Sequence, residues 1–268
     1  ITWFGDKGLL SWNAAQAYTG TARFSLLNIF GASDAVLYVL LTIYMIASLG
    51  LCLGFKPRIC AAVVFLILTT LHHRNPAVMN SGDTLMRIFA FMLIFAPSGA
   101  MYAIGSRKKA SAGSESPKVQ RWAQRLMQFQ ITAVYAQTLL GKLDGEMWRN
   151  GTALYYSSRL EELYRLPVPI LFDNIYTIKL FTWGTLFAEA LLCTLIWSKP
   201  PLRYYVLGLG VLLHLGIEWS MNIPLFEWLM ICSFVLFIEP NHVEAAVNRI
   251  SRLFGWKKKQ EEPSASMP

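Results

Sequence analysis

Long apolar runs, separated by short charged or turn-forming stretches, set the pattern of this chain. They predict helices over residues 34–54, 59–71, 83–104, 126–141, 177–197, 202–218 and 223–239. Residues 1–33 are different: Trp3, Phe4, Trp12, Tyr18 and Phe24 are interrupted by Gly5, Gly8, Gly20 and Gly31, which predicts an interfacial segment with short helices and no span. Asn80-Ser81-Gly82-Asp83 reads as a turn and helix cap, and Pro97 predicts a kink in the helix that follows. Residues 106–121 (SRKKASAGSESPKVQR) form a polar, basic linker, and 143–176 a long polar and aromatic loop with Pro167 and Pro169. Near the end, Val243, Val247, Ile250 and Phe254 share a helical face beside Arg249, Arg252 and Lys257–Lys259, the pattern of an amphipathic helix lying on a leaflet. The closing KKKQEEPSASMP reads as disordered.

Composition turns this pattern into a fold class. The 268 residues are 54% hydrophobic and only 15% charged, with a mean hydropathy of +0.40. Such a chain reads as all-α, a polytopic integral membrane helical bundle of about seven transmembrane helices. It opens at Ile1 with no signal-peptide pattern, so a further membrane helix is expected before it, bringing the count to eight. The expected organisation is an extracytoplasmic interfacial segment over 1–33, a transmembrane domain over 34–240 and a cytoplasmic tail over 241–268.

The net charge of +8 would fit nucleic acid if it formed a patch, but Lys56, Arg58, the 107–121 linker, Lys199, Arg203 and the tail occupy short loops between apolar runs. All fall on one side, which the positive-inside rule makes cytoplasmic, the C-terminus included. The bilayer, not nucleic acid, is the expected partner. Cys52, Cys60, Cys193 and Cys232 show no metal or redox spacing and read as small apolar fillers. His72 and His73 have no further clustered ligand, so no metal is expected.

The candidate chemistry centres on 126–148, LMQFQITAVYAQTLLGKLDGEMW. Gln128, Tyr135 and Lys142 are seven apart and share a helical face, with Thr138 one turn before the lysine. Asp144, Glu146 and Trp148 follow where the helix should leave the hydrocarbon. Such a stripe can simply pack inward, with Lys142 snorkelling to the interface, or it can mark a functional site. Glu189 lies in mid-helix among apolar neighbours, where a charge costs about 2.5–3.5 kcal/mol, so it must be neutral, paired or facing a wet cavity. Asp83 and Arg87, four apart, form either a structural ion pair or a binding edge. His214 and Glu218, also four apart, lie on a later helix and face the lysine's end of the bundle. Catalytic candidates are therefore Lys142, His214 and Glu189; substrate-binding candidates are Asp83, Arg87, Tyr135, Asp144, Trp148 and Glu218.

Tyr135…Gly141-Lys142-Leu143-Asp144…Trp148 resembles the helix end Gly-x-Lys-Lys-Leu-Asp-x-x-Trp of the vitamin K-dependent gamma-carboxylase family, also called the HTTM (horizontally transferred transmembrane) domain. Lys142 matches the second lysine, regarded there as the catalytic base; Gly141 replaces the first, and the spacing to Trp148 is one residue longer. Asn150-Gly151-Thr152-Ala153-Leu154-Tyr155-Tyr156 is similar to the bacterial form of the next loop, and Glu189 and His214 correspond to an acidic residue and a histidine in the two following helices. The resemblance spans about residues 30–240. It implies a quinone-dependent enzyme, a gamma-glutamyl carboxylase-like lyase and quinone epoxidase, taking reduced vitamin K or menaquinone and a secreted peptide or protein substrate in a bacterial plasma membrane. Two departures bear on this. The Asn-Asn-His-Ser turn of animal carboxylases is Asn80-Ser81-Gly82-Asp83 here, and their large lumenal domain has no counterpart in these residues. Some bacterial relatives take part in maturing secreted peptide toxins, so a non-enzymatic membrane partner in peptide maturation, export or immunity is the alternative. Transport, with Glu189 and His214 as a proton relay, lacks the broken-helix signature.

Overall fold

The computed structural model describes residues 2–5, 7–19, 23–99, 103, 121–167 and 173–253. Its elements are α-helices and short 3-10 turns, with no strand among the described residues. The N-terminal segment holds two short helices, α1 (Trp12–Thr19) and α2 (Leu27–Phe30), as its aromatic and glycine pattern predicted. Then come α3 (Asp34–Cys52), α4 (Pro57–Arg74) and α5 (Ser81–Phe95). After the basic linker, which lies almost wholly outside the described residues, α6 (Trp122–Asp144) leads into the small helices α7 (Glu146–Arg149) and α8 (Ala153–Ser157). The chain ends with α9 (Ile175–Thr194), α10 (Leu202–Ser220), α11 (Phe226–Ser233) and α12 (Pro240–Leu253). Pro169, Phe254 and Lys257–Lys259 also lie outside the described residues.

Local chemistry sets several of these limits. Asn80 caps α5: its side chain accepts the Asp83 N–H at 3.1 Å while the Asp83 carboxylate accepts the Asn80 N–H at 2.9 Å, a reciprocal capping box. The expected kink at Pro97 is instead a stop. Ala96 is extended (φ −70°, ψ 144°) and α5 ends before it, because a proline disfavours helical backbone at the residue it follows.

Two groups of helices pack together. α4 lies against both α3 and α5, while α6, α9, α10 and α11 form the second group, with α5 packed on α6 and α11. The main core joins the second group to α5 through Leu85, Ile131, Tyr135, Leu192, Met230 and Phe234. The N-terminal segment is tied to the end of α4: Arg74 donates to the Gly5 carbonyl at 2.8 Å, Asn75 to that of Trp3 at 2.6 Å, and His73 Nδ1 meets that of Phe24 at 2.6 Å.

The outer surface is apolar. On α3, Tyr38, Val39, Ile43, Met45, Ile46 and Leu49 are exposed; only 17% of this strongly hydrophobic helix is buried inside the protein, so its side chains face a medium that must itself be apolar. The protein is an all-helical membrane protein. The expected seven spans are not confirmed, however. Among the described residues two helical stretches, Asp34–Cys52 and Ile175–Trp197, are long and apolar enough to cross a bilayer, or up to three if the bent pair Phe226–Phe237 and Pro240–Leu253 counts as one. The shortfall has physical causes. α5 has 15 residues, short of the ~20 a span needs. α4 ends in His72, His73 and Arg74, and α6 and α10 carry the polar groups described next.

Gly210 lets α10 approach its neighbours: a Cβ there would stand 2.7 Å from the Phe234 ring and 2.9 Å from Leu192, whereas one at Gly208 would meet nothing within 4 Å. Gly210→Ala is expected to destabilise the bundle by about 1–3 kcal/mol through overpacking. Gly208→Ala should be neutral or stabilising by up to about 1 kcal/mol. Thermal unfolding of both variants in detergent checks the contrast.

Candidate functional site

The polar row on α6 is used along its whole length, and each member reaches a different element. Gln128 donates to the Leu236 carbonyl at 2.6 Å, joined by Gln124 at 2.9 Å. These two amides satisfy a carbonyl in the 3-10 turn Phe234–Phe237 that follows α11. One heptad on, Tyr135 is 2% exposed and its hydroxyl lies 2.7 Å from His214 Nε2 on α10. Another heptad on, Lys142 Nζ forms an ion pair with Glu189 Oε1 on α9 and stands 4.8 Å from the centre of the Trp148 ring.

The imidazole is held from its other side. His214 Nδ1 hydrogen-bonds Glu227 Oε2 on α11, and both residues are almost wholly enclosed, at 3% and 0% exposure. With Glu227 ionised, a carboxylate can only accept, so Nδ1 carries the hydrogen and donates. Nε2 is then the acceptor for the Tyr135 hydroxyl. The chain reaches Glu227 through Leu225 at φ 65°, a left-handed backbone that leucine rarely adopts. Gly82 at the start of α5 closes against the same point, since a Cβ there would meet the Phe226 Cα at 3.0 Å.

The two sets of contacts form one electrostatic unit. The Tyr135 hydroxyl lies within the field of both Glu189 and Glu227. Each carboxylate commits one oxygen, to Lys142 or to His214, while Glu189 Oε2 and Glu227 Oε1 are buried without a hydrogen-bond partner. A buried acceptor left empty costs about 1–3 kcal/mol, so these atoms mark places where a donor belongs. The Lys142 side chain keeps 23% of its surface exposed and Glu189 6%, so the lysine is the less enclosed partner. The arrangement suits movement of a proton between an amine, two carboxylates, an imidazole and a phenol.

The structure therefore brings Lys142, Glu189, Tyr135, His214 and Trp148 together. It does not bring in the others. Asp83 serves the α5 cap; among the described residues no ion pair joins it to Arg87, although both lie within the field of buried His72. Asp144 is the exposed last residue of α6. Glu218 turns away from His214: it pairs with Arg165 and accepts the Trp228 indole N–H at 3.0 Å, pinning the loop before α9 to the end of α10. Glu227 was missing from the sequence candidates. Its only signal was an acidic residue opening an otherwise apolar helix, FEWLMICS. Among the described residues no group of three His, Cys, Asp or Glu side chains is arranged to hold a metal.

The HTTM domain family matches residues 8–242. The chain belongs to the HTTM family. All five network residues fall inside the HTTM match. Among curated proteins, it is 24% identical over 216 residues to the sporulation-delaying protein SdpB of Bacillus subtilis, an alignment covering 75% of this chain and 64% of SdpB. It is also 21% identical over 259 residues to the uncharacterized protein YitO of the same bacterium, covering 92% of this chain and 78% of YitO. The chain thus spans a little under two thirds of the length of SdpB. No solved structure matches it at a significant level.

If the Lys142–Glu189 pair is the electrostatic hinge of this HTTM site, losing one partner should be worse than losing both. Lys142→Met leaves a lone enclosed carboxylate and is expected to cost about 3 kcal/mol, most of it recovered in the K142M/E189L double variant. A double-mutant cycle from unfolding in detergent measures the coupling.

Proposed function

We propose that this HTTM protein is a membrane enzyme of the gamma-carboxylase type that acts on a secreted peptide or protein, with Lys142 as its base. The observation that supports this reading most is the Lys142 amine, held between the Glu189 carboxylate and the Trp148 ring on a side chain that stays partly exposed. A proton passed from the Lys142 amine to the Glu189 carboxylate it contacts would leave both groups neutral. When it passes to the carboxylate, the amine is left free to accept another from a bound molecule. Tyr135, His214 and Glu227 form a second hydrogen-bonded set, in which the Tyr135 hydroxyl donates to Nε2 and Nδ1–H donates to Glu227. His214 acts as relay, Glu227 as the group that orients it and Glu189 as the partner of the base.

The residues present fit a reduced quinone. Its hydroxyl groups are donors, and Glu189 Oε2, beside the partly exposed Lys142 side chain, is an acceptor without a hydrogen-bond partner; Lys142 and Trp148 would complete the hold, with Tyr135 behind them. When bound, reduced vitamin K or menaquinone would supply the electrons for oxygen and, through it, a base strong enough to remove a carbon-bound proton. We place the protein in a bacterial plasma membrane with the C-terminus cytoplasmic, because its basic loops lie on one side of the predicted spans.

A second reading, a non-enzymatic membrane partner in the maturation, export or immunity of a secreted peptide, draws support from the likeness to SdpB. Quinone turnover separates the two. In vesicles supplied with reduced menaquinone and oxygen, Lys142→Arg, which keeps a cation against Glu189 but does not give up its proton, is expected to insert normally and to lose epoxide formation by at least about 100-fold. Equal turnover in the variant and the parent would remove Lys142 from the chemistry, and no turnover in the parent would leave the partner reading.

A further inference from the structure

α12 leaves the bundle abruptly. The stretch Phe226–Phe237 and the helix Pro240–Leu253 meet at a bend of 114°. The junction is held on both sides: Arg203 donates to the Phe237 carbonyl at 3.1 Å and to the Ser198 carbonyl at 2.8 Å, and the Tyr204 hydroxyl meets His242 Nδ1 at 2.5 Å. α12 itself buries no residue against the protein.

By length and composition alone, α12 could be the second half of a broken span or a helix outside the hydrocarbon. Its residues decide between these. Val243, Ala246, Val247 and Ile250 lie along one face, and Ile250 and Leu253 are 54% and 78% exposed. Asn241, Glu244, Asn248, Arg249 and Arg252 occupy the rest of the circumference. A half-span would have to sink those groups in lipid, at about 2.5–3.5 kcal/mol for each charge near the centre. A helix turned nearly across its predecessor can instead lie along the boundary, apolar face down and arginines level with the headgroups. In sequence, Lys257-Lys258-Lys259 continue the same charge.

We infer that α12 is a membrane-surface anchor that binds the headgroups of anionic phospholipids through Arg249 and Arg252, with Val243, Val247 and Ile250 seated in the acyl boundary. The partner is lipid because an apolar stripe, half-buried at Val243 and Val247 and exposed at Ile250 and Leu253, continues directly from a stretch packed in the membrane bundle, and the flanking charge is basic where that leaflet supplies negative charge. This anchor is independent of the chemistry at Lys142.

The test uses the full chain in nanodiscs of phosphatidylcholine alone or with about 30% phosphatidylglycerol, reading amide hydrogen exchange over residues 243–253. The expected result is protection that rises with the anionic lipid and falls as salt is added to the unaltered protein. In R249Q/R252Q it should drop by about fivefold for each arginine, roughly 25-fold in all. Equal protection in both lipids would overturn the inference: if high, α12 is a re-entrant half-span or is packed on another surface, and if absent it does not dock at all.

Discussion

An ammonium and a carboxylate placed between two membrane helices impose a condition on everything around them. Lys142 on α6 and Glu189 on α9 satisfy it by meeting each other. Either charge alone, set in an apolar medium, would be costly enough to displace its helix or draw water inward. Once paired, they fix the rotation of both helices, because a turn of either by one residue moves its charge about 100° away from the partner. The same rotation carries Tyr135 and Gln128 inward. The α6 row thus has a hydrogen-bonding partner on α9, α10 or the turn after α11 at each heptad.

That condition shapes the membrane architecture. α6 and α10 carry the lysine and the imidazole into the bundle, whereas α3 shows lipid a largely apolar surface. α9 does both, exposing Leu180 and Phe187 while enclosing Glu189. The core of Ile131, Leu192, Val206, Met230 and Phe234 surrounds the polar row and excludes competing donors. In that setting the unfilled oxygens of Glu189 and Glu227 matter most, because a low-dielectric site strengthens whatever donor reaches them.

The helices and the polar row were legible in the sequence because both depend on local period. A spacing of seven is enough to put Gln128, Tyr135 and Lys142 on one face, and a lone Glu189 among apolar residues announces that it needs a partner. Asn80-Ser81-Gly82-Asp83 declared a helix cap, which the structure completes as a reciprocal capping box. Partners were harder to read. His214 and Glu218 share a helical face, yet the imidazole turns to Glu227 across a loop while Glu218 joins Arg165. Helical spacing ranks neighbours within an element and says nothing about what the next element brings. The number of spans is harder to read for a related reason: apolar runs mark burial, and burial inside a bundle and burial in lipid look alike over short helices such as α5 and α11.

The central claim is that Lys142 and Glu189 are in contact inside the membrane domain. Solid-state NMR on the protein in lipid, with 15N at lysine side chains and 13C at glutamate carboxyls, measures this directly. The account predicts a dipolar coupling, absent from the Lys142→Met variant, corresponding to a separation of no more than about 4 Å. No coupling out to about 6 Å, well beyond ion-pair contact, would contradict it.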